Sequence, residues 1–175
     1  QILNAIQAYL IKDEFGDYRI SIEHQRPVFL LGAPGIGKTA IMEQIAQETG
    51  VNLVTYSMSH HTRESALGLP VIVHRNYTGA DVQISEYTMS EIVATLYDTI
   101  EATGIKEGIL FLDEISAASQ SVQAAAYQIT LDRVIGEHKL PDNCIVIAAG
   151  NRTTDKSVAY KMPKALANRL MHIEI

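Results

Sequence analysis

The sequence predicts an α/β fold in three layers: a mostly parallel five-stranded sheet between helices, with a small β-hairpin inserted. Three observations predict it. Short apolar runs alternate with stretches whose apolar residues recur at helical spacing, the pattern of strands joined by crossover helices. The runs Val28-Phe29-Leu30-Leu31, Ile109-Leu110-Phe111-Leu112 and Ile145-Val146-Ile147-Ala148-Ala149 are apolar throughout, as strands covered on both faces must be. The turn-rich Asn76-Tyr77-Thr78-Gly79 lies between Val71-Ile72-Val73 and Val82-Gln83-Ile84, which marks the hairpin.

Taken in order, Ile2, Leu3, Ile6, Leu10 and Ile11 form the apolar face of an opening helix, with Gly16 and Asp17 as its stop. Pro27 leads into the first strand at Val28. Residues 38–49 read as a helix with Ile41 and Ile45 on one face and Gly50 as its C-terminal stop. Val51-Asn52-Leu53-Val54-Thr55-Tyr56 is β-branched and alternating, a second strand. After the hairpin, Thr88 and Glu91 make a capping box for a helix running to Gly104. The strand at 109–112 follows, then a helix over 119–133 carrying Val122, Ala125, Ala126 and Ile129. The strand at 145–149 comes next, and a short helix over 163–168 leads into a fifth strand at 171–175.

The totals bound what such a domain does. At 175 residues the chain is one domain, large enough for a full core. Hydrophobic residues make up 47% and charged residues 19%, which is globular composition. No apolar run approaches the ~20 residues of a spanning helix, so no membrane role is expected. Fourteen basic against twenty acidic residues leave a net charge of −6, which argues against general nucleic-acid affinity. The single cysteine, Cys144, excludes an internal disulfide and fits a reducing, cytoplasmic setting; its apolar neighbours mark a buried structural thiol. The chain begins at Gln1 without a methionine or a leader pattern, which reads as a trimmed chain.

Chemistry concentrates in Gly32-Ala33-Pro34-Gly35-Ile36-Gly37-Lys38-Thr39, which fits G-x-x-x-x-G-K-[ST] at every fixed position between a strand and a helix. Triphosphate oxygens need converging backbone N–H donors, and glycines let the main chain wrap that closely while the helix start adds its dipole. Lys38 is placed to reach the β- and γ-phosphates and the Thr39 hydroxyl to ligate Mg²⁺. Asp113-Glu114 directly follows an apolar strand, where a parallel sheet lines its ligand crevice. Asp113 is then placed to hold Mg²⁺, and Glu114 to orient and deprotonate an attacking water. Asn151 closes the next strand; its amide either holds the attacking water or senses the γ-phosphate, or it serves only as a turn residue. The adjacent His60 and His61 point opposite ways on an extended segment, a poor chelating pair better read as a solvated loop.

These features, in this order, resemble the AAA+ ATPase family, a branch of the P-loop NTPases. Gly32 to Thr39 resembles its Walker A motif, Ile109 to Glu114 its Walker B motif, and Asn151 its sensor 1. Pro163-Lys164-Ala165-Leu166-Ala167-Asn168-Arg169-Leu170 resembles the segment that ends in an arginine finger. The Met162-Pro163 to Arg169 run and the hairpin after the second strand are most similar to the MoxR-like branch. The resemblance implies that Arg169 reaches into a neighbouring subunit's site, where such fingers contribute roughly 10³–10⁵ in rate; the alternatives are a local surface ion pair, or Arg152 in its place.

The resemblance further implies Mg²⁺-dependent ATP hydrolysis by a homo-oligomeric ring, possibly a hexamer, that remodels or matures a protein client in chaperone-like fashion. A protein with a von Willebrand factor A domain is among the implied partners. It also implies a helical lid beyond the fifth strand; the chain stops at Ile175, so residues 1–175 are read as the core domain with that lid absent from the chain. Two alternatives stay open: a nucleotide-dependent binding switch with negligible turnover, against which Glu114 argues, and a DNA-handling AAA+ module, against which the acidic charge argues.

Overall fold

A computed structural model describes residues 1–151, 162 and 164–175 of the chain. The elements are α1 (Ile2–Leu10), β1 (Val28–Leu31), α2 (Lys38–Thr49), β2 (Asn52–Ser57), α3 (Arg63–Leu67), β3 (Pro70–Tyr77), β4 (Ala80–Tyr87), α4 (Glu91–Thr103) and β5 (Gly108–Asp113). They continue with α5 (Gln120–Asp132), β6 (Val134–Ile135), β7 (His138–Lys139), β8 (Cys144–Gly150), α6 (Lys164–Ala167) and β9 (Met171–Glu174). The main sheet has the order β2-β5-β8-β1-β9, and every pairing in it is parallel.

Strand alternation divides the core in two. Val28 and Leu30, Ile109 and Phe111, and Ile145, Ile147 and Ala149 pack with Ile2 and Ile6 of α1 and Met42 and Ile45 of α2. Their in-between neighbours, Phe29, Leu110, Leu112, Val146 and Ala148, pack with Ile92, Val93 and Leu96 of α4 and Val122, Ala126 and Ile129 of α5. Each strand therefore feeds both cores, which is why these runs lack a polar face.

The ends of α2 fall where the sequence places them, with Gly50 in the left-handed region at φ 70 and its N–H on Ala46 O. Three local expectations shift. The opening helix ends at Leu10, not near Gly16. Asp13 Oδ1 accepts from the N–H groups of Phe15 at 2.9 Å and Asp17 at 3.0 Å, and Lys12 bridges to Tyr18, so this stretch forms its own turn instead of helix. The cap of α4 is Ser90, whose Oγ accepts from Ile92 N at 3.1 Å; Thr88 Oγ1 is engaged by Leu69 N at 2.9 Å at the base of the hairpin. The short hairpin β6–β7, paired through Val134↔Lys139 and Ile135↔His138, lies inside the expected loop between α5 and β8.

The larger hairpin pairs β3 with β4 from Pro70↔Tyr87 to Tyr77↔Ala80. Its two-residue turn, Thr78-Gly79, has both φ values positive (51 and 86), as a tight hairpin matching the strand twist requires. It forms a separate two-stranded sheet and is exposed over most of its length.

The stretch after α1 is tied to the far end of the sheet. Lys12 Nζ donates to Glu107 Oε1 at 2.7 Å and Tyr18 OH to the same oxygen at 3.1 Å. The hydrogen bond from Lys12 is the main reason the Glu107 carboxyl lies below its usual range, and partial burial opposes it. A depressed carboxyl value means that this stabilisation is complete above the unfolded value of about 4.3 and is lost as pH falls through the folded value. Lys12→Met is expected to lower the unfolding free energy at pH 7 by less than about 1 kcal/mol, and by nothing near pH 2, in urea titrations at the two pH values.

Candidate functional site

Because the sheet is parallel, its strands end along one edge, and the loops that leave those ends lie side by side. Gly32 N donates to Gly150 O at 3.3 Å and Ile175 N to Leu31 O at 2.9 Å, which ties the start of the glycine-rich loop to both neighbouring strands. Gly35 and Gly37 have φ values of 80 and 82, where side chains are disfavoured, and a Cβ on either would meet nothing within 4 Å. At these two positions the rim of the loop is open. Helix α2 begins at Lys38 with no side-chain cap on its first turn.

Lys38 is only 6% exposed, and its ammonium group donates to Ala33 O at 3.1 Å and Gly32 O at 3.3 Å. A buried cation needs such partners, and here the loop curls around its own lysine. Thr39 Oγ1 donates to Asp113 Oδ2 at 3.4 Å, so the first turn of α2 meets the end of β5. An uncapped helix start, an open glycine rim and a buried lysine fit the phosphates of a nucleotide. A hydroxyl beside a carboxylate fits a hard divalent cation such as Mg²⁺.

Glu114 follows Asp113 in the left-handed conformation (φ 56, ψ 33) and opens a single 3₁₀ turn over Ile115–Ala117. That backbone is unusual for a residue with a Cβ and re-aims the side chain away from the strand direction. Glu114 Oε2 accepts hydrogen bonds from Ser57 Oγ and Ser59 Oγ, each at 2.5 Å. Ser57 is the last residue of β2 and pairs in register with Asp113, which brings the first of these hydroxyls to the site. The Ser57 and then the Ser59 hydrogen bonds hold the Glu114 carboxyl below its ordinary range; burial opposes them, and His60 and Lys38 add smaller favourable contributions. His60 Nδ1 stands 3.0 Å from Ser57 Oγ, so this histidine belongs to the hydroxyl cluster. His61 stacks edge-on against Tyr56, with ring centroids 5.0 Å apart.

Asn151 lies just past β8, with its N–H donating to Ser116 Oγ at 3.1 Å. Lys38, Thr39, Asp113, Glu114 and Asn151 therefore gather at one sheet edge. Arg169 stands apart from that group: its side chain is 57% exposed and pairs with Asp132 Oδ1 at 3.7 Å. Arg152 and Pro163 lie outside the described residues. Cys144 is buried and its thiol is pushed up to about 11 by that burial, which leaves it un-ionised and unreactive. Ser57, Ser59 and Ser116 are the polar groups that sequence reasoning did not single out. Their only local signal is that each sits at or just beyond the C-terminal end of a strand of the main sheet.

Comparison with known proteins places the chain in a family. The profile of the ATPase family associated with various cellular activities (AAA) matches residues 28–174. Midasin of Giardia intestinalis is 24% identical over 163 residues, covering 89% of this chain but 3% of that protein. Among solved structures, a Cytophaga hutchinsonii protein assigned as an ATPase superposes with a TM-score of 0.52 and 17% identity, over 99% of this chain and 49% of that one. A single-residue mutant of Thermotoga maritima RuvB superposes with a TM-score of 0.54 and 19% identity, over 99% of this chain and 43% of that one. The chain thus spans a small part of midasin and about half or less of these structures. The structural likenesses establish the P-loop NTPase fold, and the matched profile, which takes in all five strands of the main sheet, establishes that this chain belongs to the AAA family of ATPases.

Proposed function

We propose that this domain binds and hydrolyses ATP with Mg²⁺ as part of a MoxR-like AAA+ ring that remodels or matures a protein partner in the cytoplasm. The observation that carries the reading is the meeting of the glycine-rich loop with the Asp113-Glu114 pair, through Thr39 and Asp113 at 3.4 Å. A phosphate cradle alone serves binding. A cradle beside an ionised, hydrogen-bonded glutamate serves hydrolysis.

In this reading the loop from Gly32 through Ala33 and Pro34 to Thr39 cradles the phosphates, the backbone N–H groups of Gly35, Ile36, Gly37, Lys38 and Thr39 receive them, and Lys38 exchanges its loop carbonyls for phosphate oxygens. Thr39 and Asp113 hold the magnesium ion. When bound, that ion offsets negative charge on the phosphate oxygens. Glu114 accepts the proton of the attacking water, and Asn151 fixes that water or the terminal phosphate. Arg169 acts on the nucleotide of the neighbouring subunit. Two features support this last role: the guanidinium is mostly exposed, and its surface pairing with Asp132 is worth no more than about 1 kcal/mol, so it is readily exchanged. The ring, the protein client and a von Willebrand factor A partner rest on the likeness of 162–169 and of the β3–β4 insertion to the MoxR-like branch.

Lys38→Ala is expected to abolish ATP binding. Glu114→Gln is expected to keep binding and lower turnover by at least about a hundredfold, in calorimetry and steady-state assays of the full-length protein. Unchanged hydrolysis in Glu114→Gln would remove its role as base and favour a binding switch. In a carboxyl NMR titration, Glu114 is expected to ionise at higher pH in the Ser57→Ala, Ser59→Ala double variant than in the unmodified protein, because both hydroxyls favour the charged form. The specific ATPase rate per subunit of full-length protein is expected to climb with protein concentration and to fall by about 10³ in Arg169→Ala. A rate independent of both would mean that each site works alone, and the ring would be abandoned.

A further inference from the structure

Glu114 and Asn151 leave different strands, yet one buried hydroxyl joins the segments that carry them. Ser116 is two residues past Glu114 in the 3₁₀ turn and 9% exposed; its Oγ accepts the N–H of Asn151 at 3.1 Å. The preceding residue, Gly150, makes room for this contact. A Cβ there would collide with Ser116 Oγ and lie 3.1 Å from Phe29 Cζ. The turn is pinned from its other side by Gln123 of α5, a buried side chain whose Nε2 donates to Ala118 O at 2.9 Å and Ser116 O at 3.4 Å. Within the turn, Ala117 N donates to Glu114 O at 3.1 Å. Ser116 is therefore held from α5 and in turn holds the first backbone group beyond β8.

We infer that Ser116 is a positioning residue for ATP hydrolysis, its hydroxyl setting where the Asn151 amide starts relative to the Glu114 carboxylate. The bond to Ser116 is made by the Asn151 backbone, and what it fixes is the spacing of the two backbones. The phosphate loop, built from 32–39, meets the same peptide from its other side, Gly32 N donating to Gly150 O, and has further anchors of its own in the Leu31↔Gly150 strand pairing and the bonds of Lys38 to Gly32 O and Ala33 O. Those further anchors do not depend on the Ser116 hydroxyl, so its loss is expected to act on turnover well before nucleotide affinity. The inference rests on the proposed role of Asn151.

The test compares Ser116→Ala, Ser116→Thr, Asn151→Ala and the Ser116→Ala, Asn151→Ala double variant of the full-length protein. The readouts are kcat and KM for Mg²⁺-ATP, binding of a fluorescent ADP analogue, and thermal unfolding. Small displacements of reacting groups cost up to about a hundredfold, so Ser116→Ala is expected to lose about tenfold in kcat, with KM and ADP affinity within about twofold. Ser116→Thr keeps the oxygen and is expected to regain most of the rate, and the double variant to be no slower than Asn151→Ala alone. Wild-type turnover in Ser116→Ala beside a slow Asn151→Ala would overturn the inference and leave the Asn151 role standing. So would losses that multiply in the double variant, or a Ser116→Ala chain that no longer folds. Wild-type turnover in Asn151→Ala would instead refute the role of Asn151 itself, and this inference with it.

Discussion

Strand β1 is four residues long and hydrogen-bonded on both sides, to β8 through Val28↔Ile147 to Leu31↔Gly150 and to β9 through Val28↔Met171 to Leu31↔Glu174. The glycine-rich loop leaves its C-terminal end, next to the end of β8, which leads to Asn151. The neighbours are distant in sequence and parallel, so the chain must cross back over the sheet between them, and helices on both faces do this. With both faces covered, β1, β5 and β8 bury apolar side chains in both directions and have no polar position to spare. Polar chemistry is pushed to the strand ends. Asp113, Glu114 and Asn151 lie at those ends because the interior of this sheet has no place for them.

The same constraint sets the electrostatics. Lys38 is buried at the centre of the loop and is satisfied by two carbonyl oxygens, whereas Arg169 is half in solvent with one carboxylate at 3.7 Å. The first is a cation whose partners must be replaced in kind if they are removed. The second is a pairing that water competes with freely. Glu114 lies between these extremes. Two serine hydroxyls favour its ionised form with no cation among the described residues paired to it, and the 3₁₀ turn behind its left-handed backbone is pinned by Gln123.

Features made by neighbours in sequence were legible before the structure; features made by pairing across the sheet were not. Helix α2 runs from Lys38 to Thr49 as read, because the phosphate-loop pattern starts it and Gly50 stops it locally. The apolar runs at 28–31, 109–112 and 145–149 became strands because burial on both faces leaves a one-dimensional signature. Apolar spacing overextends the first helix because Ile11 continues it, while Asp13 offers the backbone a turn that spacing does not register. Thr88 resembled a cap, but it pairs with Leu69 across 19 residues of hairpin. Ser57 and Ser116 were missed for the same reason. Their partners are 57 and 35 residues away, and only the order β2-β5-β8 brings them together.

This split between local and assembled features also divides the two halves of the proposed reaction. The groups that would hold nucleotide are contiguous, from Gly32 to Thr39, and keep their geometry through one loop and one helix start. The groups that would handle water come from the ends of β2, β5 and β8, joined by the hydrogen bonds of Ser57 to Glu114 and of Asn151 to Ser116. A small slide of one strand end against the next would pull those side chains out of register, while Lys38 and the start of α2 keep contacts made within their own segment. Binding and turnover therefore share the Gly150–Asn151 peptide and otherwise rest on different contacts along one sheet edge.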